Sequence, residues 1–281
     1  MTEGKNGKNG KNEGKCGDSR YSRSSRNNIE STNRAGRDRG IRVWMRQTAE
    51  NLTDLLFPRR CPLCQRILTQ KGELICEACA KELPYIKEPK CMICSRPIRD
   101  ERKMLCGICE NKVHYFIRGD CTFIYEGKLR DALMRLKFNN HREYADFFAA
   151  AVAAHAKAFL GEIHPQVLLP VPMNRKKRKE RGFDQCALIG RKISERTGIP
   201  IQTDNLVRIR YTRAQKGLDA AARRENLRGA FRVRRPEQLP ESVLVFDDIY
   251  TTGATLDEVS FTLRQCGIRQ IYFICICSVL N

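Results

Sequence analysis

Apolar residues are distributed unevenly along this chain of 281 residues. From about position 118 onward, short apolar runs alternate with stretches that repeat every three to four residues. Cys121 to Tyr125 reads as a strand, Glu126-Gly127 as a turn, and Leu129, Leu133, Leu136 and Met134 line a helix ending near Lys137. A second, alanine-rich helix is predicted from about Glu143 to Leu160. Val167-Leu168-Leu169 is a strand that Pro170-Val171-Pro172 stops. Ile189 and Ile193 mark a helix that Gly198 ends. Val243-Leu244-Val245-Phe246 reads as a buried parallel strand, and two acids stand where it should end. Leu256, Val259, Leu263 and Cys266 share the face of a helix with Gly267 as its stop, and Ile271 to Ile276 supplies a last strand. Strands alternating with helices predict an α/β domain over 118–281, a parallel sheet flanked by helices.

The pattern fails before position 58. Residues 1 to 40 read GKNGKNGKNEGK and then a Ser/Arg/Asn mixture with little to bury, which predicts a disordered basic tail. Ile41 to Phe57 is compatible with a short amphipathic helix, with Trp44, Leu52, Leu55 and Leu56 docking it onto the next module.

Composition adds a charge balance. Lys+Arg number 52 against 32 Asp+Glu, a formal net charge of +20 that favours polyanionic partners: nucleic acid, phosphorylated metabolites or an anionic surface. No run of about 18 apolar residues exists to cross a membrane. The lysine- and glycine-rich start has no apolar core, so it does not read as a secretory signal.

Eight of the 14 cysteines form an internal repeat over 58–114. Cys61 and Cys64 are followed by Cys76 and Cys79, and the same spacing recurs thirty positions later in Cys91, Cys94, Cys106 and Cys109. Zinc takes four tetrahedral thiolates, and C-x-x-C turns deliver them in pairs. The repeat therefore predicts two structural zinc sites in a reducing, cytoplasmic setting. Sequential pairing is the simplest; a crossed pairing of first with third and second with fourth pairs is the alternative. A redox role for the pairs is disfavoured by four of them in tandem. His114 lies near enough to replace a cysteine, but its plainer reading, with His141, His155 and His164, is a surface residue. Cys16, Cys121, Cys186, Cys266, Cys275 and Cys277 show no ligand spacing, and most of them read as small core residues.

Two stretches carry the remaining chemistry. Arg175 to Arg181 places six cations in seven positions directly after a strand, with Asp184 as a helix cap beyond. It reads as a flexible basic loop over the ligand crevice, for pyrophosphate or a nucleic-acid backbone, against the plainer reading of a solvated charge run. A second arginine-rich region, 206–235, encloses Gln215 to Asn226, which reads as a mobile lid between strand-like segments. The other stretch is Asp247-Asp248 followed by Ile249-Tyr250 and the turn Thr251-Thr252-Gly253-Ala254-Thr255. Backbone N–H groups and hydroxyls at a helix N-terminus suit a phosphate, and two carboxylates suit a pair of vicinal hydroxyls. Together they describe a ribose 5-phosphate.

Val243 to Thr255 closely resembles the phosphoribosyl pyrophosphate (PRPP) signature of type I phosphoribosyltransferases. The resemblance implies that Asp247 and Asp248 hold the ribose hydroxyls, that Thr251, Thr252, Gly253, Ala254 and Thr255 wrap the 5-phosphate, and that magnesium accompanies PRPP. From Cys61 on, the order resembles the ComF family, a double zinc ribbon followed by a phosphoribosyltransferase-like domain. Cys61-Pro62-Leu63-Cys64, Leu136-Lys137-Phe138, Pro170-Val171-Pro172, Arg181-Gly182-Phe183-Asp184-Gln185 and Arg228-Gly229-Ala230-Phe231 carry this resemblance. Family members typically have asparagine where this chain has Asp184, so an amide donor is missing there. Lys137, Arg175, Lys176, Lys177, Arg178 and Arg181 are the expected contacts to pyrophosphate or nucleic acid. The family implies natural competence, imported single-stranded DNA in the cytoplasm and a competence helicase as partner. The alternative is a phosphoribosyltransferase acting on a small base, with the ribbon as scaffold; a zinc-dependent adaptor with a relic site is a weaker third.

Overall fold

The computed structural model describes residues 58–210 and 220–280. The expected tail over 1–40, the expected helix over 41–57 and residues 215–219 of the expected lid lie outside the described residues, while 220–226 of that lid are helical.

Each half of the cysteine repeat builds the same knuckle. In the first, Cys61 N–H donates to Arg66 C=O (2.8 Å) and Gln65 N–H to Cys61 C=O (2.9 Å). In the second, Cys91 N–H donates to Arg96 C=O and Ser95 N–H to Cys91 C=O, both 2.8 Å. Gln65 and Ser95 take the left-handed backbone (φ 65° and 58°) that each tight turn requires. The later cysteine pair of each half opens a short helix, α1 (Glu77–Lys81) and α2 (Gly107–Glu110).

The α/β part then runs β1 (Arg118–Ile124), α3 (Gly127–Phe138), α4 (Tyr144–His155), α5 (Lys157–Ile163), β2 (Val167–Pro170), α6 (Arg175–Arg181), α7 (Gln185–Thr197), β3 (Leu206–Arg208), α8 (Ala220–Leu227), β4 (Phe231–Val233), β5 (Ser242–Tyr250), α9 (Ala254–Gln265) and β6 (Gln270–Ser278). Four strands form a parallel sheet in the order β1-β6-β5-β2, and β3 and β4 pair antiparallel beside it. β2, β5 and β6 carry near-continuous apolar runs because both faces are buried. Leu244 and Phe246 join Leu168, Phe123, Ile274 and Ile276 against residues of α3, α4 and α7. Val243 and Val245 join Val167, Leu169, Ile271, Phe273 and Cys275 against α9 and β4.

The two ribbon halves lie on opposite faces of this sheet. Cys61, Leu63 and Cys79 belong to the first apolar cluster, and Cys91, Cys94, Cys106 and Cys109 to the second. The chain between them crosses the free edge of β1, where Ile86 N–H donates to Thr122 C=O (3.0 Å) and Ile124 N–H to Pro84 C=O (2.8 Å). The linker thus covers backbone groups that an open edge would leave exposed.

Four expectations need correction. The run Arg175 to Arg181 is helix α6, not a flexible loop. Lys, Arg and Glu are good helix formers, Asn174 Oδ1 caps the helix by accepting from Lys176 N–H, and Gly182 closes it at φ 79°. Strand β5 does not end at the acids: Ile249 and Tyr250 still pair with Cys277 and Ser278 of β6. The alanine-rich helix bends at Ala156 (ψ 1°) into α4 and α5, although the i→i−4 bonds continue through Ala156. Finally, His114 is no surface residue, its side chain being 2% exposed; His155 is also largely covered, 3.5 Å from Asp120 and stacked on Tyr85.

Candidate functional site

The cysteines group sequentially. The thiols of Cys61, Cys64, Cys76 and Cys79 lie within 4.8 Å of one another, as do those of Cys91, Cys94, Cys106 and Cys109. Cys64 and Cys76 sulfurs are 3.6 Å apart, and those of Cys94 and Cys106 are 3.7 Å apart. A tetrahedron of Zn–S bonds of about 2.3 Å has edges of about 3.8 Å. The donor sets and spacing therefore fit two closed, structural zinc sites, and the crossed pairing is ruled out because its members sit on opposite faces of the sheet.

A cleft of about 930 Å³ opens at the carboxyl end of β5, where open α/β sheets place their ligands. Asp247, Asp248, Thr251 and Thr255 line it, with Lys137 and Phe138 from α3, Lys177 and Arg181 from α6, Gln185 and Cys186 from α7, and Arg208 from β3. Asp248 is held by Lys137 Nζ (2.8 Å) and by Gln185 Nε2 (2.7 Å), and Gln185 Oε1 in turn accepts from Arg181 Nη1 (2.5 Å). Asp247 Oδ1 accepts from the N–H of Asp248 (2.8 Å) and faces the Cys186 thiol at 3.7 Å. Arg181 lies over the ring of Phe138 at 4.8 Å. The turn after β5 depends on Gly253, whose φ is 76°. A Cβ there would come within 2.7 Å of Tyr250 Oη, so only glycine fits.

The two acids differ in charge. Burial, then repulsion from Asp248, pushes Asp247 up to about 7. Burial also opposes the charge on Asp248, but Lys137 and the bonds from Lys137 and Gln185 override it and hold the carboxyl below its usual range. Burial would strip the Lys137 proton, and Asp248 keeps it on. Burial also disfavours three cations of the cleft. Burial lowers Lys177, with Arg208 and Arg181 repelling it, and burial likewise lowers Arg181 and Arg208. An anion entering the cleft would relieve all three.

The expected site residues separate. Asp247, Asp248, Thr251, Thr255, Lys137, Lys177 and Arg181 share the cleft. Thr252 stands in the turn with its Oγ1 buried and without a hydrogen-bond partner. Gly253 shapes the turn, and Ala254 borders a different cavity behind α9. Arg175, Lys176 and Arg178 are exposed on the outer side of α6. Asp184 is a backbone cap: its two oxygens accept from Ala187 N–H (3.0 Å) and Met173 N–H (2.9 Å). An acceptor suffices there, which explains how the chain does without the asparagine amide. Sequence reasoning left Gln185, Cys186, Arg208 and Phe138 without a place at the acids. The position of Gln185 and Cys186 at the start of the helix that Asp184 caps was a usable signal; Arg208 had none.

Residues 52–114 match the double zinc ribbon domain family. Competence protein F of Haemophilus influenzae is 36% identical over 109 residues, 38% of this chain and 48% of that protein, so the match spans about half the length of that relative. DNA utilization protein YhgH of Escherichia coli (strain K12) is 30% identical over 159 residues, 56% of this chain and 70% of that protein. Competence protein ComFC of Bacillus subtilis is 23% identical over 146 residues, covering 52% and 58% of the two chains. Among solved structures, glutamine PRPP amidotransferase from B. subtilis, complexed with ADP and GMP, aligns at a TM-score of 0.32 and 20% identity over 46% of this chain and 25% of that one.

Proposed function

Because the chain belongs to the ComF family, we propose that its cleft binds a PRPP-like ligand and that the protein serves the handling of DNA taken up by the cell. One observation carries the ligand: a buried acid pair, a helix-capping turn and three cations disfavoured by burial converge on one cleft. In this reading Asp247 and Asp248 accept from the ribose hydroxyls, and the turn Thr251 to Thr255 takes the 5-phosphate. Lys177, Arg181 and Arg208 meet the pyrophosphate, and magnesium balances the charge that remains. The exposed cations of α6 offer a track for a single DNA strand. Free thiolate tetrads suit a reducing, cytoplasmic setting. Among the described residues no helix is long and apolar enough to cross a membrane.

Transfer of the phosphoribosyl group to a small base is a second reading, favoured by Phe138. Its ring is 65% exposed at the cleft beneath Arg181 and offers a planar acceptor a surface to stack on.

Calorimetric titration with PRPP, with and without magnesium, at pH 6 and pH 8 tests the ligand. A ligand that needs the Asp247 carboxylate binds more tightly as pH rises through about 7. Asp247→Asn leaves the Lys137–Asp248 pair intact and should abolish both the binding and its pH dependence. No binding by the parent protein at either pH sinks the proposal. Pyrophosphate release on adding purine or pyrimidine bases would move the transferase reading ahead.

A further inference from the structure

The two halves of the ribbon carry arginine at equivalent positions, Arg66 and Arg96, thirty residues apart. Both backbone carbonyls accept from the first cysteine of their knuckle at 2.8 Å. The side chains diverge. Arg66 is exposed. Arg96 is 4% exposed, donates from Nη2 to the carbonyl of Thr251, and lies over the ring of Tyr250 at 5.7 Å. Its Nε is buried without a hydrogen-bond partner. Burying a guanidinium is costly, and a knuckle needs no arginine side chain, since Arg66 serves the first half from solvent.

A second tie runs beside it. His114 Nε2 lies 3.4 Å from the Cys109 sulfur, and its Nδ1 lies 2.9 Å from Asp257 Oδ1. Asp257 is buried in the first turn of α9, accepts also from Lys112, and its N–H donates to Gly253 C=O at 2.8 Å. The first half has Pro84 where the second has His114. Only the second half therefore carries this link from a cysteine of the repeat to the turn.

We propose that the second half of the ribbon is a working part of the turn Thr251 to Thr255, with Arg96 as its positioning residue. This rests on reading the turn as a phosphate site. A trans peptide points its N–H opposite to its C=O, so holding the Thr251 carbonyl toward the ribbon holds the Thr252 N–H away from it. The guanidinium also polarises that peptide and strengthens its N–H as a donor. The ribbon is then more than a scaffold: one half sets the fold's edge, and the other half sets the anion site.

The full chain carrying Arg96→Ala is compared with Arg66→Ala and the parent, after metal analysis of each. Hydrogen exchange of the ligand-free proteins is followed in peptides covering 251–257, and affinity is measured with ribose 5-phosphate. Arg96→Ala should keep its zinc, exchange about ten-fold faster or more in that segment, and lose affinity by a similar factor, as expected for a lost charge-assisted hydrogen bond. Arg96→Lys should recover part of both, and Arg66→Ala should behave as the parent. If Arg96→Ala loses zinc, Arg96→Gln, which keeps a donor without the charge, takes its place under the same readouts. Unchanged exchange at 251–257, or an equal change in Arg66→Ala, overturns the proposal. Faster exchange in Arg96→Ala with a parent that binds no ribose 5-phosphate supports the positioning role and rejects the phosphate reading.

Discussion

Lys137 and Asp248 form the pair on which the acidic end of the cleft rests. Both side chains are nearly covered, at 11% and 12% exposure. Removing one partner of such a pair leaves a buried charge without compensation, whereas removing both is far less costly. Lys137→Met should therefore destabilise the protein by about 3 kcal/mol in denaturant unfolding. Adding Asp248→Asn to it should restore most of the loss. Additive effects of the two substitutions would contradict the coupling. The same logic explains why a double replacement of Asp247 and Asp248 is a poor probe of binding: it strands Lys137. Asp247→Asn does not, because the hydrogen bonds of Asp247 run to a backbone N–H and the Cys186 thiol while Asp248 keeps its pair with Lys137.

Helix α6 sorts its cations by period. Lys177 and Arg181, four residues apart, face the cleft, while Arg175, Lys176, Arg178 and Lys179 are exposed. The two sets should serve different ligands. Replacing the four outer cations by glutamine keeps helix propensity and removes only charge. Anisotropy titrations with a single-stranded oligonucleotide over a range of salt should then show a log–log slope flatter by about 3, from ~0.7 per lost phosphate contact. PRPP affinity should stay near the parent's. Replacing Lys177 and Arg181 instead should weaken PRPP and leave most of the slope. An outer-set variant with the parent's slope would remove α6 from any DNA track.

At the scale of the molecule, the ribbon is not a bead on a string. The described residues from Arg59 onward form one unit. Cys61, Leu63 and Cys79 share an apolar cluster with Phe123, Leu133 and Tyr144, and Gln65 Nε2 donates to Tyr144 Oη at 2.8 Å. Ribbon folding is coupled to metal, so metal loss should be felt in the sheet. Metal analysis should give about two zinc per chain. Stripping them with a chelator should lower the thermal midpoint of the whole α/β part, in one transition. A separate, unshifted melt of the sheet after zinc removal would show the ribbon to be independent.

The contiguous patterns were legible in the sequence. The cysteine repeat, the strand–turn–helix from Val243 to Gln265, the caps at Asp184 and Gly198 and the parallel sheet all follow from spacing and apolar period, because the interacting residues lie within a few turns of chain. The sequence could not say which four cysteines share a site, since sequential and crossed pairings use the same spacing; only the placement of the halves on opposite faces decides it. Nor could it distinguish Arg66 from Arg96, which are the same residue in the same knuckle. Arg96 finds its partner 155 residues away, and His114 finds Asp257 at a separation of 143. The charge run of α6 looked uniform because every position carries the same chemistry except one. The helix, once capped, turned that run into an inner and an outer face. Local chemistry is written in neighbouring residues, while the partner of a buried charge is chosen by whatever the fold packs against it.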